Sequence, residues 1–539
     1  MTIQTGGEAI VNSWIKHGVQ TIFGLPGAQN DYLYNALYDA NGQIQVIHTR
    51  HEQGAGYMAL GYTMSTGRPG VYAVVPGVGM LNASAALATG YSVNAQLFCF
   101  SGQIPSKMIG RGLGQLHEIP DQLGILERLT KWAGHIPAPE QAPGQVAEAF
   151  LQLQSGRPRP VAVECPLDVL SAKAEIENYP ILEPEHPALN EDQIEEAAKL
   201  LGAAKNPLIF VGLGALGAAE AVKELAEALQ APVVSTRSGH GLLSSRDPLA
   251  IRTPVAHELW PQTDVALFIG TRQSRTLTGW GTDDKLKIIR IDIDPAEHSR
   301  AVPESVGIVA RSEDALPKLV EAVGKYNSVR PSRAAELDDL RAEMAERIGY
   351  MVPQLSYLNA IRDILPDDGY FIHDVTQLGY VSDFAFPVYQ PRTFIGPGYQ
   401  GTLGWGFATA LGVKVAHPDK PVVAVCGDGG FMFTMQELAT AVQHKINLVT
   451  LVFNDGAYGN VLRMQKENYG GKVIATALHN PDFARMAETF GALGLRATNP
   501  DEVRSAIEQG LAADVPTIIE VPIGEVPSPW PVVFMKKNR

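Results

Sequence analysis

The stretch from Pro421 to Gly459 constrains the fold more than any other. Val422–Cys426 is an apolar run, Gly427-Asp428-Gly429-Gly430 follows as a tight turn, Thr434–Lys445 has a helical pattern, and Leu448–Phe453 is a second apolar run. Strand, crossover helix and strand in that order predict a parallel βαβ unit with a right-handed connection. Both strands then point their carboxyl ends the same way, bringing Asp428 and Asp455 to one sheet edge, where open α/β sheets bind ligands. Thr434 and Glu437 have the spacing of a capping box at the helix start.

Two carboxylates converging there repel unless a cation lies between them, and oxygen-only ligands suit Mg2+. Gly427, Gly429 and Gly430 carry no side chains to keep their backbone N–H groups from a diphosphate. Turn formation explains either aspartate taken alone. The pair at matching ends of adjacent strands points to a metal.

The same alternation fills the chain. Predicted strands are Thr21–Gly24, Gln45–His48, Val71–Val75, Leu97–Ser101 and Val161–Glu164, then Leu208–Val211, Val233–Ser235, Val265–Ile269 and Ile288–Ile293, then Tyr370–His373 and Thr517–Glu520. The expectation is an α/β protein of three doubly wound parallel-sheet domains, 1–175, 190–325 and 355–539. A length of 539 residues accommodates roughly three such units. Ile176–Leu189, rich in Pro and Glu, reads as a linker, and the charged Val329–Arg347 as an exposed connecting helix.

Composition narrows the partners. With 45% hydrophobic and 19% charged residues the chain is ordinary globular material, and its apolar stretches stop short of a membrane span. A net charge of −14 disfavours nucleic acid and anionic membranes. The opening residues show no targeting pattern, so cytoplasmic residence is expected. Cys99, Cys165 and Cys426 are too few and scattered for disulfides or zinc and read as buried filler.

The Gly427-Asp428-Gly429 run closed by Asn454-Asp455 resembles the signature of the thiamine-diphosphate enzymes of the acetolactate synthase, pyruvate oxidase and benzoylformate decarboxylase group. Arg50-His51-Glu52-Gln53-Gly54 resembles the same group's glutamate motif. The resemblance covers nearly the whole chain and implies a pyrimidine-binding, a central and a diphosphate-binding domain. It implies that Asp428, Asp455 and the Ala457 carbonyl hold Mg2+, and that Glu52, shielded from water, shares a proton with the cofactor's aminopyrimidine. Leu403 falls at the position that wedges the cofactor into a bent shape, and Gln377 at a diphosphate contact. Gly27, Ala28 and Tyr458 occupy further cofactor-facing positions, and Gln115 and His117 substrate-facing ones. Because the group's site spans two chains, a homodimer or homotetramer is implied.

The resemblance thins in places. Gly270-Thr271-Arg272-Gln273-Ser274-Arg275-Thr276 lacks the final arginine of the acetolactate synthase run, with Arg275 one position early, and Arg463-Met464-Gln465 lacks the tryptophan that selects a larger acceptor. Gly212-Leu213-Gly214-Ala215-Leu216-Gly217 and Asp292-Ile293-Asp294 keep FAD open, but Ala250–His257 is shorter than the flavin-contacting stretch, so FAD is not favoured. Ala28 stands where simple decarboxylases carry a proton-handling Asp or Ser. The expectation is therefore a carboligase acting on pyruvate or another small 2-oxo acid, with a 2-oxo acid decarboxylase as the alternative. A flavin-linked oxidase or a carbon–carbon hydrolase ranks behind both.

Overall fold

The computed structural model describes residues 2–40, 42–272 and 276–539. Three six-stranded sheets, all parallel, are flanked by helices. With each sheet's strands numbered in chain order, the first (Thr21–Gly24 to Val161–Pro166) and third (Tyr370–His373 to Thr517–Pro522) share the order 2-1-3-4-6-5. The middle sheet (Pro207–Val211 to Val306–Val309) runs 3-2-1-4-5-6. Each order reverses direction beside its first strand, opening a crevice at the carboxyl ends there. A small antiparallel pair, Thr2–Thr5 with Lys173–Ile176, ties the chain start to the end of the first domain.

The domains share cores. Helix Glu52–Thr66 is buried on almost every side and packs against helix Trp405–Ala416, so one apolar cluster runs through the first and third domains. The helices come close because glycines face backbone: a Cβ at Gly61 would overlap the Thr409 carbonyl, and one at Gly412 the Met58 carbonyl. A second cluster joins the middle domain to the opposite face of the third sheet, through helices Ala334–Ile348 and Val352–Ile364. The first of these is the predicted connecting helix, exposed except for a stripe that includes Leu337, Met344 and Ile348.

Arg157, buried at the junction of the first and middle domains, pairs with Glu297 at 2.6 Å, Asp294 at 3.4 Å and Asp292 at 3.5 Å. The glycine-rich turn after Val211 is also engaged internally. Gly212 and Gly214 donate their N–H groups to Ile269 and Gly270 at 3.0 and 3.2 Å, and a Cβ at Gly214 would fall 2.8 Å from the Gly270 Cα. These glycines and acids thus have protein partners, and we assign no flavin role to them. Arg275 lies outside the described residues. Among the described residues no helix is long and apolar enough to cross a membrane. The three cysteines are free and buried, as expected.

Candidate active site

In the third domain, strands Val422–Gly427 and Val449–Asn454 are paired in parallel, with Gly427 opposite Phe453. The backbone turns at Gly427 into a single helical turn, Asp428–Phe431, and the second strand delivers Asn454-Asp455-Gly456 beside it. Asp428, only 3% exposed, accepts hydrogen bonds from the Gly456 N–H at 3.0 Å and from Asn480 Nδ2 at 2.6 Å. Asp455 accepts from the Ala457 N–H at 3.1 Å. Burial, and then the charge of Asp428, push the Asp455 carboxyl up to about 6; burial also raises Asp428. The sequence thus brought together two carboxylates that oppose each other's ionisation.

A cavity of about 400 Å3 opens over this turn, and its lining includes Gln377, Leu403, Gly427, Asp428, Asp455 and Ala457. Gly429, Gly430 and Tyr458 also line it. The glycines differ in what they make room for. A Cβ on Gly429 would lie 2.7 Å from the Tyr458 ring, and one on Gly430 2.6 Å from Asp374 Oδ2. One on Gly427 would meet nothing closer than Thr376 Cγ2 at 3.5 Å, so protein packing does not demand that glycine. Gln377 begins helix Gln377–Ala385 and accepts from Arg463 Nη1 at 3.2 Å; Arg463 also donates to the Val526 carbonyl at 2.6 Å.

No described residue of the first domain lines this cavity. Glu52 begins its helix, as the sequence implied, and accepts from Asn82 Nδ2 at 3.0 Å, but it is only half-buried. The shielding expected of it is not supplied within one chain. Around it gather Gly79, where a Cβ would lie 3.4 Å from Glu52 Oε1, and Gly27, against Val75. His117 holds a left-handed backbone (φ 65°) and hydrogen-bonds through Nδ1 to Gln29 Oε1 at 2.9 Å. Gln29 Nε2 in turn donates to the Leu116 carbonyl at 2.8 Å. Gln115, half-exposed, donates its N–H to Glu118 at 2.8 Å, and Ala28 is exposed. The candidate residues therefore fall into two groups, one per outer domain.

One expectation is overturned. Thr434 and Glu437 form no capping box: Thr434 Oγ1 donates to the Gly404 carbonyl, and helix Glu437–Gln443 has no side-chain cap. The fully buried Glu437 carboxylate instead reaches into the first domain. It accepts from the Arg50 N–H at 3.0 Å and the His51 N–H at 2.9 Å, at the start of the helix that carries Glu52. Gly54 makes the space, because a Cβ there would sit 2.5 Å from Glu437 Oε1. Glu437, Asn480, Asn82 and Gln29 were not assigned to the site from sequence. Only glycine at position 54 hinted at a close approach.

The donor set fits a divalent cation under a diphosphate. Two carboxylates fall short of a complete metal shell, and among the described residues no group of three or more His, Cys, Asp or Glu is placed to form one. The remaining oxygens would come from backbone and ligand.

Comparison with known proteins agrees with this geometry. Residues 4–125 match the thiamine pyrophosphate enzyme N-terminal TPP binding domain, 194–319 the central domain, and 374–521 the C-terminal TPP binding domain. The chain is 33% identical to the probable 2-ketoarginine decarboxylase AruI of Pseudomonas aeruginosa, covering 96% of this chain and 94% of that one. It is 32% identical to the probable acetolactate synthase large subunit of Methanocaldococcus jannaschii (96% and 92% covered). It is 31% identical to the acetolactate synthase isozyme 1 large subunit of Escherichia coli (98% and 96%). With all three domain types in order and relatives aligned over nearly the full length, the chain belongs to the thiamine pyrophosphate enzyme family.

Proposed function

We propose that this thiamine-diphosphate-dependent enzyme is a carboligase: it removes CO2 from pyruvate or another small 2-oxo acid and joins the remaining acyl carbon to a second carbonyl compound. Thiamine diphosphate, when bound, supplies the carbon nucleophile and the electron sink that lets CO2 leave. In this reading Asp428, Asp455 and the Ala457 carbonyl hold Mg2+, the glycine turn and Gln377 receive the diphosphate, and Leu403 supports the bent cofactor. Glu52 exchanges a proton with the aminopyrimidine ring. Since Glu52 does not line the cavity of its own chain, a second copy supplies it, and the working unit is at least a homodimer.

The observation that supports the choice of carboligation is Ala28. A decarboxylase must deliver a proton to the carbon that has lost CO2. The methyl side chain of Ala28 has no proton to deliver, while His117 Nδ1 is engaged by Gln29 Oε1 at 2.9 Å and Gln29 Nε2 by the Leu116 carbonyl. A position without a proton donor favours capture of the acyl carbon by a second carbonyl.

A decarboxylase is the second reading, supported by the name of the Pseudomonas relative. Turnover of pyruvate with thiamine diphosphate and Mg2+ separates the two. Carboligation yields CO2 and an acid-convertible acetoin precursor with little acetaldehyde. Free aldehyde as the sole product would reverse the assignment, and absence of CO2 from any 2-oxo acid would remove both readings.

A further inference from the structure

A second cavity, of about 480 Å3, lies where the middle domain, the connecting helix Ala334–Ile348 and the third domain meet. Its walls are largely apolar, including Leu243, Ile251, Val255, Met344, Ile348 and Phe384. Among the described residues its charged lining is Arg246, Arg252 and Arg341, with no acidic residue, in a chain of net charge −14. Arg246 pairs with Asp367 and Arg341 with Asp338. Arg252 makes no ion pair within 4.0 Å among the described residues, and the Asp383 carboxylate acts on it only from beyond contact. Its guanidinium bonds to the His240 ring, Ser245 Oγ at 3.2 Å and the Phe386 carbonyl at 2.6 Å, all neutral acceptors.

A guanidinium withdrawn from water with no counter-charge in contact is costly, and here burial outweighs the more distant pull of the Asp383 carboxylate and holds the Arg252 pKa down to about 10. His240, whose pKa burial and then Arg252 itself hold well below the usual histidine range, supplies no negative charge. An anion beside Arg252 would compensate, and a carboxylate matches the planar fork of an arginine. The apolar walls ask for an apolar body on that carboxylate, and the volume falls in the range of small-molecule sites.

The cavity is joined to the cofactor site by one element. Gln377 and Tyr380, toward the start of helix Gln377–Ala385, line the first cavity; Phe384 and Ala385, at its end, line the second. Nine residues span only about 13 Å.

We propose that this cavity binds a small monocarboxylate with an apolar body, anchored on Arg252, and that its occupancy is coupled through helix Gln377–Ala385 to binding at the cofactor site. The coupling rests on the reading of the first cavity given above; the binding site does not.

Phenylacetate serves as probe because it lacks the 2-oxo group of a substrate. Calorimetric titration of the full-length protein gives saturable binding, weakened about tenfold or more in Arg252→Met and for the neutral phenylacetamide, since losing a buried charge contact costs at least that factor. Ala345→Trp, on an exposed residue of the connecting helix that lines the cavity, blocks binding while keeping the wild-type melting temperature. No saturable heat with phenylacetate, equal affinity for the amide, or undiminished binding to a folded Ala345→Trp protein would overturn the site. With phenylacetate saturating, thiamine diphosphate affinity shifts about fivefold or more in wild type and not in Ala345→Trp, within the range of coupling energies between sites. An unchanged affinity overturns the coupling alone. Failure of thiamine diphosphate to bind at all counts against the cofactor reading, not against this cavity.

Discussion

Asp455 stands beside Asp428 with its carboxyl held at about 6, above the ordinary 3.8, by burial and then by its neighbour's charge. A folded-state pKa raised above the unfolded one means that the folded protein binds the proton more tightly. The associated stability is present at low pH and lost as pH rises through about 6. A cation between the carboxylates removes that penalty, so Mg2+ with thiamine diphosphate should stabilise the protein most above pH 6. Asp455→Asn separates these effects. Without ligands the variant should melt above wild type at pH 7 and close to it at pH 4.5, and it should lose most of the Mg2+-dependent gain in scanning calorimetry. A variant stabilised by Mg2+ as strongly as wild type would remove Asp455 from the metal site.

The start of helix Glu52–Thr66 is held by a side chain from another domain, and that arrangement marks the limit of reading this sequence locally. Thr434 and Glu437 have a helix-cap spacing, yet a buried carboxylate satisfies whichever N–H groups the tertiary fold brings to it. Arg50 and His51, some 387 positions away, win over the local amides. Glu437→Ala leaves those two amides without acceptors and should cost about 2–4 kcal/mol in denaturant unfolding. Gly54→Ala drives a methyl into the same carboxylate, so the double variant should cost clearly less than the sum of the singles. Strict additivity would show that Gly54 and Glu437 do not share this contact. Strands at the sheet centres were legible because they are apolar throughout, as Val422–Gly427 is. Those missed were mostly edge strands: Trp132–His135, Ala250–Ile251, Val306–Val309, Phe394–Ile395 and Leu493–Arg496. An edge strand is short or faces solvent on one side, so Trp-Ala-Gly-His or Leu-Gly-Leu-Arg carries little pattern of its own. The convergence of Asp428 and Asp455 could be read because a parallel βαβ unit fixes where strand ends go, whereas Asn480, Asn82 and Gln29 reach the candidate site residues only through tertiary packing.

At the scale of the whole molecule, Glu52 and Asp428 lie on domains that share a core within one chain, yet no described residue of the first domain lines the cavity over Asp428. The intrachain contact between helices Glu52–Thr66 and Trp405–Ala416 fixes the outer domains rigidly, with glycines pressed against backbone, so Glu52 cannot swing into that cavity without breaking the core. In the two-fold assembly proposed above, each first domain would face the partner's third domain and close two equivalent sites. Complementation tests the arrangement directly. Glu52→Gln and Asp428→Asn proteins are each expected to be nearly inactive. After dissociation and mixed reassembly, half of the dimers carry one chain of each kind. In such a dimer, Glu52 from one chain meets Asp428 from the other at one site, while the second site carries both substitutions. Activity should therefore return to about a quarter of wild type on statistical reassociation. A site built within one chain would give no recovery at any mixing ratio, because every chain would still lack one of its two essential carboxylates.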